Sequence, residues 1–337
     1  MTDLQRRASP MRRLRTLATA GAALVLVVIV SSAYLRLSQA GLSCTDWPAC
    51  YGRIAQATRV TAAQHGARLA HRFAASAVLF VLLALLALAL AKRPRLERQA
   101  AIALAGLVVA GALGVIGAVS SEATRLVPLP AVTIANLTGG FALLALLCLL
   151  RETTLTRSAD GGAMGSPASI RSATAQRPTA TLRWLAASTL VVAIAQILLG
   201  ALVSGKFGGL ACPGVPLCGA EVSWPGFRAA IDPFAPLDVD ASRTIVRPAS
   251  LASLQFAHRI GAHVVLVLAA ALVVALARAC RRREAAVLGL LIGAQLALGA
   301  TSVLAGLPLP VVLAHNLVAA LLLATLVTTT YRVRVVA

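Results

Sequence analysis

Leu254-Gln255-Phe256-Ala257-His258-Arg259 opens an apolar run at 260–277 that is long enough to cross a bilayer. An imidazole and a guanidinium thus stand side by side where a helix enters hydrocarbon. Ionisable side chains are costly there and mark a functional site by default. The chain carries two partial copies of the pattern. Leu69-Ala70-His71-Arg72 opens another apolar run, and His315 sits at a similar place in the last one.

Working outward, 337 residues that are 59% hydrophobic and 12% charged, with a mean hydropathy of +0.85, exclude a soluble globular chain. Apolar runs fall at 14–35, 66–91, 100–120, 130–150, 182–203, 253–277, 285–305 and 310–330. The expected fold is therefore an all-α integral membrane protein with eight transmembrane helices. The first run is too long for a cleaved signal peptide and lacks a small-residue cleavage site after it, so it is expected to be a span.

The formal charge of +20 suggests nucleic acid only until it is mapped. Arg6, Arg7, Arg12, Arg13 and Arg15 precede the first span. Lys92, Arg93, Arg95 and Arg98 follow the second; Arg151, Arg157, Arg171, Arg177 and Arg183 lie about the connection between the fourth and fifth. Arg278, Arg281, Arg282 and Arg283 follow the sixth, and Arg332 and Arg334 close the chain. Every second connection is basic, the pattern of cytoplasmic loops. A multi-pass protein of a cell inner membrane with both termini cytoplasmic is expected, with lipid rather than nucleic acid as its surroundings.

The two long outer connections, 36–65 and 204–250, contain the clearest internal repeat. Gly41-Leu42-Ser43-Cys44 with Cys50 matches Gly209-Leu210-Ala211-Cys212 with Cys218. His71-Arg72 matches His258-Arg259. Pro128-Leu129-Pro130 with Ala135-Asn136-Leu137 matches Pro308-Leu309-Pro310 with His315-Asn316-Leu317. Matched blocks in one order imply duplication of a four-helix unit in parallel orientation. The expected units are 1–152 and 182–337, joined by a Ser/Ala/Gly-rich cytoplasmic linker at 153–181.

Cys44 with Cys50, and Cys212 with Cys218, lie on the side away from the basic loops, where an oxidising compartment favours disulfides. Closing so short a loop restricts the unfolded chain by ~2 kcal/mol. Zinc is the alternative, though the spacing lacks nearby histidine. Cys148 and Cys280 read as small apolar fillers.

His258 and His315 each fall about five or six residues inside the outer end of a span, a depth of roughly 8–9 Å. Two imidazoles at one depth suit a metal, but a bare zinc or copper ion wants further ligands, and the second half offers none. His263 lies about 140° away around the helix. Two axial histidines and four ring nitrogens complete a haem iron, so haem fits the ligand count. Arg259 is placed to pair with a haem propionate or to snorkel to headgroups. In the first half His71 and Arg72 repeat the pair, but Ala135 stands where His315 would be. Arg68, Arg72 and Arg36 form a basic rim suited to propionates or, equally, to headgroups.

These residues resemble the haem A synthase family over nearly the whole chain. The motifs that carry the likeness are Arg36-Leu37 with Gly41-Leu42-Ser43-Cys44, Asp46-Trp47-Pro48 and Cys50-Tyr51-Gly52; Gly200-Ala201-Leu202-Val203 with Leu210-Ala211-Cys212-Pro213 and Pro216-Leu217-Cys218; the two His-Arg pairs; and Pro308-Leu309-Pro310 before His315. The resemblance implies a haem b cofactor between His258 and His315. It also implies a substrate pocket in the first half, with His71 as a ligand, where a ring methyl of haem O becomes a formyl group. It further implies haem O synthase and an electron donor as partners, and a role in cytochrome oxidase assembly. Three positions depart from the family pattern. Ala135 replaces the second N-terminal ligand, Arg68 replaces a carboxylate that supports oxidation, and Val215 stands opposite Trp47. Asp46 and Glu122 are the nearest acids. Arginine cannot accept a proton, so the catalytic group stays unassigned, and a non-enzymatic haem-binding relative remains the alternative. A transporter whose histidines only pack is a third.

Overall fold

In hydrocarbon every backbone N–H and C=O must be paired within the segment, and the apolar runs accordingly fold as long helices. A computed structural model describes residues 3–39, 61–92, 96–121, 129–160, 178–214, 217–241 and 244–335. Eight helices long and apolar enough to cross a membrane are present among them. They are α1 (Asp3–Gln39), α2 (Ala62–Leu90), α3 (Glu97–Ser121), α4 (Pro130–Asp160), α5 (Ala180–Gly205), α7 (Ser250–Arg278), α8 (Arg282–Leu304) and α9 (Leu309–Val335). A short helix, α6 (Trp224–Ala230), lies in the second outer connection. Cys44, Asp46, Trp47, Cys50, Glu122, Val215 and most of the expected linker fall outside the described residues.

The helices pack as two rings with one connectivity. In the first, α1 touches α2 and α4, and α3 touches α2 and α4; in the second, α5 touches α7 and α9, and α8 touches α7 and α9. Between the rings α4 meets α9, while α1 meets α9 and α4 meets α5. A duplicated unit turned about a near two-fold axis would give this pattern. Leu14, Leu82, Leu85, Leu144 and Leu147 fill the first core, joined by Ala320 and Leu323 of α9, and Leu272, Leu276, Leu288 and Leu326 fill the second. Phe73, Phe80, Trp184 and Leu290 point outward, as lipid-facing side chains must.

Repeat-related residues also pair across the interface. Arg36 donates to the Ser204 hydroxyl, each standing five residues before its Gly-Leu-x-Cys block. At the basic end, Glu152 of α4 takes Arg332 of α9 at 2.8 Å and Arg151 at 2.6 Å. Arg332 also reaches Glu284 at 3.6 Å, which Arg281 holds at 2.9 Å. This network explains why α4 continues ten residues beyond the apolar run, into the expected linker, as far as Asp160. Glu152, Thr153 and Thr154 are buried, and the Gln99 amide reaches the Thr153 carbonyl.

One expectation is corrected locally. Cys148 is buried, but Cys280 is exposed; it occupies the tight turn from α7 to α8 with φ +59°, so it fills no core. The second outer connection carries the short helix α6. Ser223 caps α6 through the Gly226 N–H, and the Ser223 N–H donates to the Ser253 hydroxyl at 3.0 Å, seating α6 on α7. An isolated antiparallel bridge joins Val239 and Ile245.

Candidate functional site

Each histidine of the second half is held by a glutamine from a neighbouring helix. The Gln196 amide nitrogen of α5 lies 3.0 Å from Nδ1 of His258 on α7 and 3.5 Å from Nε2, and it donates to the His258 carbonyl at 2.8 Å. The Gln295 amide nitrogen of α8 lies 3.1 Å from Nε2 of His315 on α9. His258 and His315 are close enough to interact electrostatically. Measured from the first residues of their helices they stand about 12 Å and 9 Å along the axis, within one turn of each other; α7 begins at Ser250, three residues before the expected 253.

One turn beyond each glutamine is a glycine on the same helix face, because i and i+4 align. A Cβ on Gly200 would stand 3.0 Å from Cε1 of His258, and one on Gly299 would stand 3.2 Å from Cε1 of His315. Each ring would have to give way beside even a single added methyl group. Sequence reasoning passed over Gln196, Gln295 and Gly299, and took Gly200 only as part of a family motif. Their signal is a repeat inside one half, Ala195-Gln196-Ile197-Leu198-Leu199-Gly200-Ala201 against Ala294-Gln295-Leu296-Ala297-Leu298-Gly299-Ala300, whereas matching one half to the other does not reveal it.

Three buried polar atoms here have no partner: Gln196 Oε1, Gln295 Oε1 and His315 Nδ1. Orphaned buried groups are rare enough to need a reason, and a ligand between the rings supplies one. Among the described residues no group of three His, Cys, Asp or Glu side chains could hold a metal. A metal at this place would have to bring its own remaining donors, as a porphyrin does. The donor set and the space kept for both rings fit a haem iron.

Arg259 has partners within the protein. Its guanidinium donates to the carbonyls of Cys212 at 2.6 Å and Leu217 at 3.3 Å, and to that of Gly214. All three belong to the loop closed by the Cys212–Cys218 disulfide. The arginine next to the histidine thereby fastens the disulfide loop against α7. His263 sits on the exposed side, bonded to the Arg259 carbonyl of its own helix, away from His258.

The first half is plainer. Thr61 and Gln64 form a capping box that starts α2, and Gln64 also reaches Ser38 of α1. This fixes the helix carrying His71. Arg68 and Arg72 are exposed on α2, as is His65, while Arg36 reaches across to Ser204. Among the described residues no hydrogen bond secures His71. In register with the Gly-Leu-x-Cys blocks, Val28 and Ser32 occupy the places of Gln196 and Gly200. With two more residues between Gly117 and Pro128 than between Gly299 and Pro308, Leu113 and Gly117 take the places of Gln295 and Gly299, and Ala135 replaces His315. Leu113 packs towards Gly139, where an added Cβ would lie 2.6 Å from its Cδ2.

The profile of a family described as cytochrome oxidase assembly protein matches residues 15–327. A protein of Shewanella oneidensis named "Heme A synthase" is 33% identical over 336 aligned positions, which span 91% of this chain and 92% of that protein.

Proposed function

The chain belongs to the cytochrome oxidase assembly protein family, and from that premise we propose that it is a haem A synthase, an oxidoreductase that converts a ring methyl of haem O to a formyl group. With dioxygen as the oxidant, –CH3 + 2 O2 + 4 e− + 4 H+ gives –CHO + 3 H2O, and the four electrons come from a separate donor, a load amino-acid side chains alone do not carry. A haem b ligated by His258 and His315 supplies the redox chemistry when bound. The protein's own part is to hold and orient. His258 and His315 offer one nitrogen each, Gly200 and Gly299 make room for the rings, and Arg259 keeps the disulfide loop closed over the same end. In the first half His71 takes the substrate iron, with Arg72 and Arg36 as partners for its propionates. A single histidine there suits a molecule that must leave after reaction. The protein would work in an inner membrane with both termini cytoplasmic, taking haem O from its synthase and using a separate electron donor.

The observation that carries this reading is the pair of glutamine-held histidines in the second half. A second reading rests on Ala135 and Arg68: a relative that binds haem b and serves oxidase assembly without oxidising haem O. Chromatography of haem extracted from cells that express the protein and are supplied with haem O separates the two. Haem A that disappears with His71→Ala supports synthesis. Haem O without haem A, at full haem b content, supports the second reading.

A further inference from the structure

We propose that Gln196 and Gln295 are positioning residues that set the reduction equilibrium of the iron between His258 and His315, each by hydrogen bonding the ring nitrogen that faces away from the metal. This rests on the haem b reading above and extends it to two residues outside the ligand set. A neutral imidazole has one lone pair and one N–H. When the lone pair goes to iron, the other nitrogen carries the proton and needs an acceptor, and such partners fix ring orientation and raise ligand basicity.

The structure places a glutamine amide against each ring, at 3.0 Å from His258 Nδ1 and 3.1 Å from His315 Nε2. In both glutamines the oxygen of that amide is buried without a partner. In the structure it is the amide nitrogen that faces each ring, so the oxygen meets the N–H that ligation creates once the amide turns over, an exchange of two nearly isosteric groups. The glycine one turn along leaves each ring the room to lie against its glutamine, since a Cβ there would intrude on Cε1. The arrangement occurs at both histidines, with the glutamines supplied by two different helices, α5 and α8. It is absent from the matching places in the first half, Val28 and Leu113. An acceptor on the imidazole N–H pushes electron density onto the ligand and favours the oxidised iron.

The test is a redox titration of the full-length protein purified with its haem, alongside haem quantitation and the low-spin electron paramagnetic signal. Gln196→Leu and Gln295→Leu remove the acceptor. Gln196→Glu and Gln295→Glu keep an oxygen at the same reach. Each Leu variant is expected to shift the equilibrium about tenfold towards reduced iron, about 59 mV for a one-electron couple, with altered g-values. The Glu variants are expected to stay at or below the wild-type potential. Should a Leu variant lose its haem while the matching Glu variant keeps it, the acceptor role is also supported. Leu variants with wild-type haem content, potential and signal overturn the proposal while leaving the haem site intact. A wild-type protein without haem b overturns both.

Discussion

In the second half, His258 and His315 each lie against a glutamine and each over a glycine. In the first, the same helical ring carries His71 and Ala135, with Val28 and Leu113 where the glutamines would be. The difference teaches what the backbone does and does not decide. One scaffold, used twice, supplies the depth and the helix pairings. Under the proposed reading, the residues lining it decide whether an iron is gripped from two sides and kept, or from one side and exchanged.

Substitutions at the small residues should break this contrast most sharply. Gly200→Val and Gly299→Val put methyl groups where the rings lie and should remove nearly all haem b, read by pyridine haemochrome on purified protein. Gly117→Val, at the repeat-related place with open space around its Cβ, should keep wild-type content. Equal losses in both halves would erase the distinction.

Ala135→His tests the reverse direction. Completing a second ligand pair should raise the haem-to-protein ratio and slow exchange at the first-half site, so extracted haem A should fall while bound haem rises. An unchanged ratio would mean that Ala135 does not face the pocket.

The halves are also joined by charge. Glu152→Gln takes a buried carboxylate from two arginines and should cost about 1.5–3 kcal/mol, seen as a lower Tm in detergent. Haem spectra should persist at temperatures below that transition. Smaller still, Arg259→Lys exchanges a planar fork for a point charge and should cost about 1 kcal/mol by loosening its hold on the disulfide loop. Faster reduction of Cys212–Cys218 by a mild thiol would measure it.

The eight spans were legible because an apolar run of membrane length has one stable backbone solution. The last ten residues of α4 were not, since Glu152, Thr153 and Thr154 read as loop until Arg332, 180 positions away, is seen to neutralise the carboxylate. Arg332 stands in the same repeat register as Glu152, so the pairing becomes readable only once the two halves are aligned. His258 and His315 announced themselves as polar residues in hydrocarbon. Gln196 and Gln295 carry no charge and drew no such notice. Arg259 was legible as a binding residue, but its hold on the disulfide loop was not, because backbone carbonyls of a folded loop leave no trace in composition. Cys280 misled because its small side chain suits a core as well as a turn.

The most direct test of the account is the optical and electron paramagnetic spectrum of purified full-length protein compared with His258→Ala, His315→Ala and His71→Ala. The account predicts a six-coordinate low-spin haem b that is lost in either second-half variant and retained in His71→Ala. A low-spin haem b surviving both second-half substitutions, or vanishing with His71 alone, would contradict it.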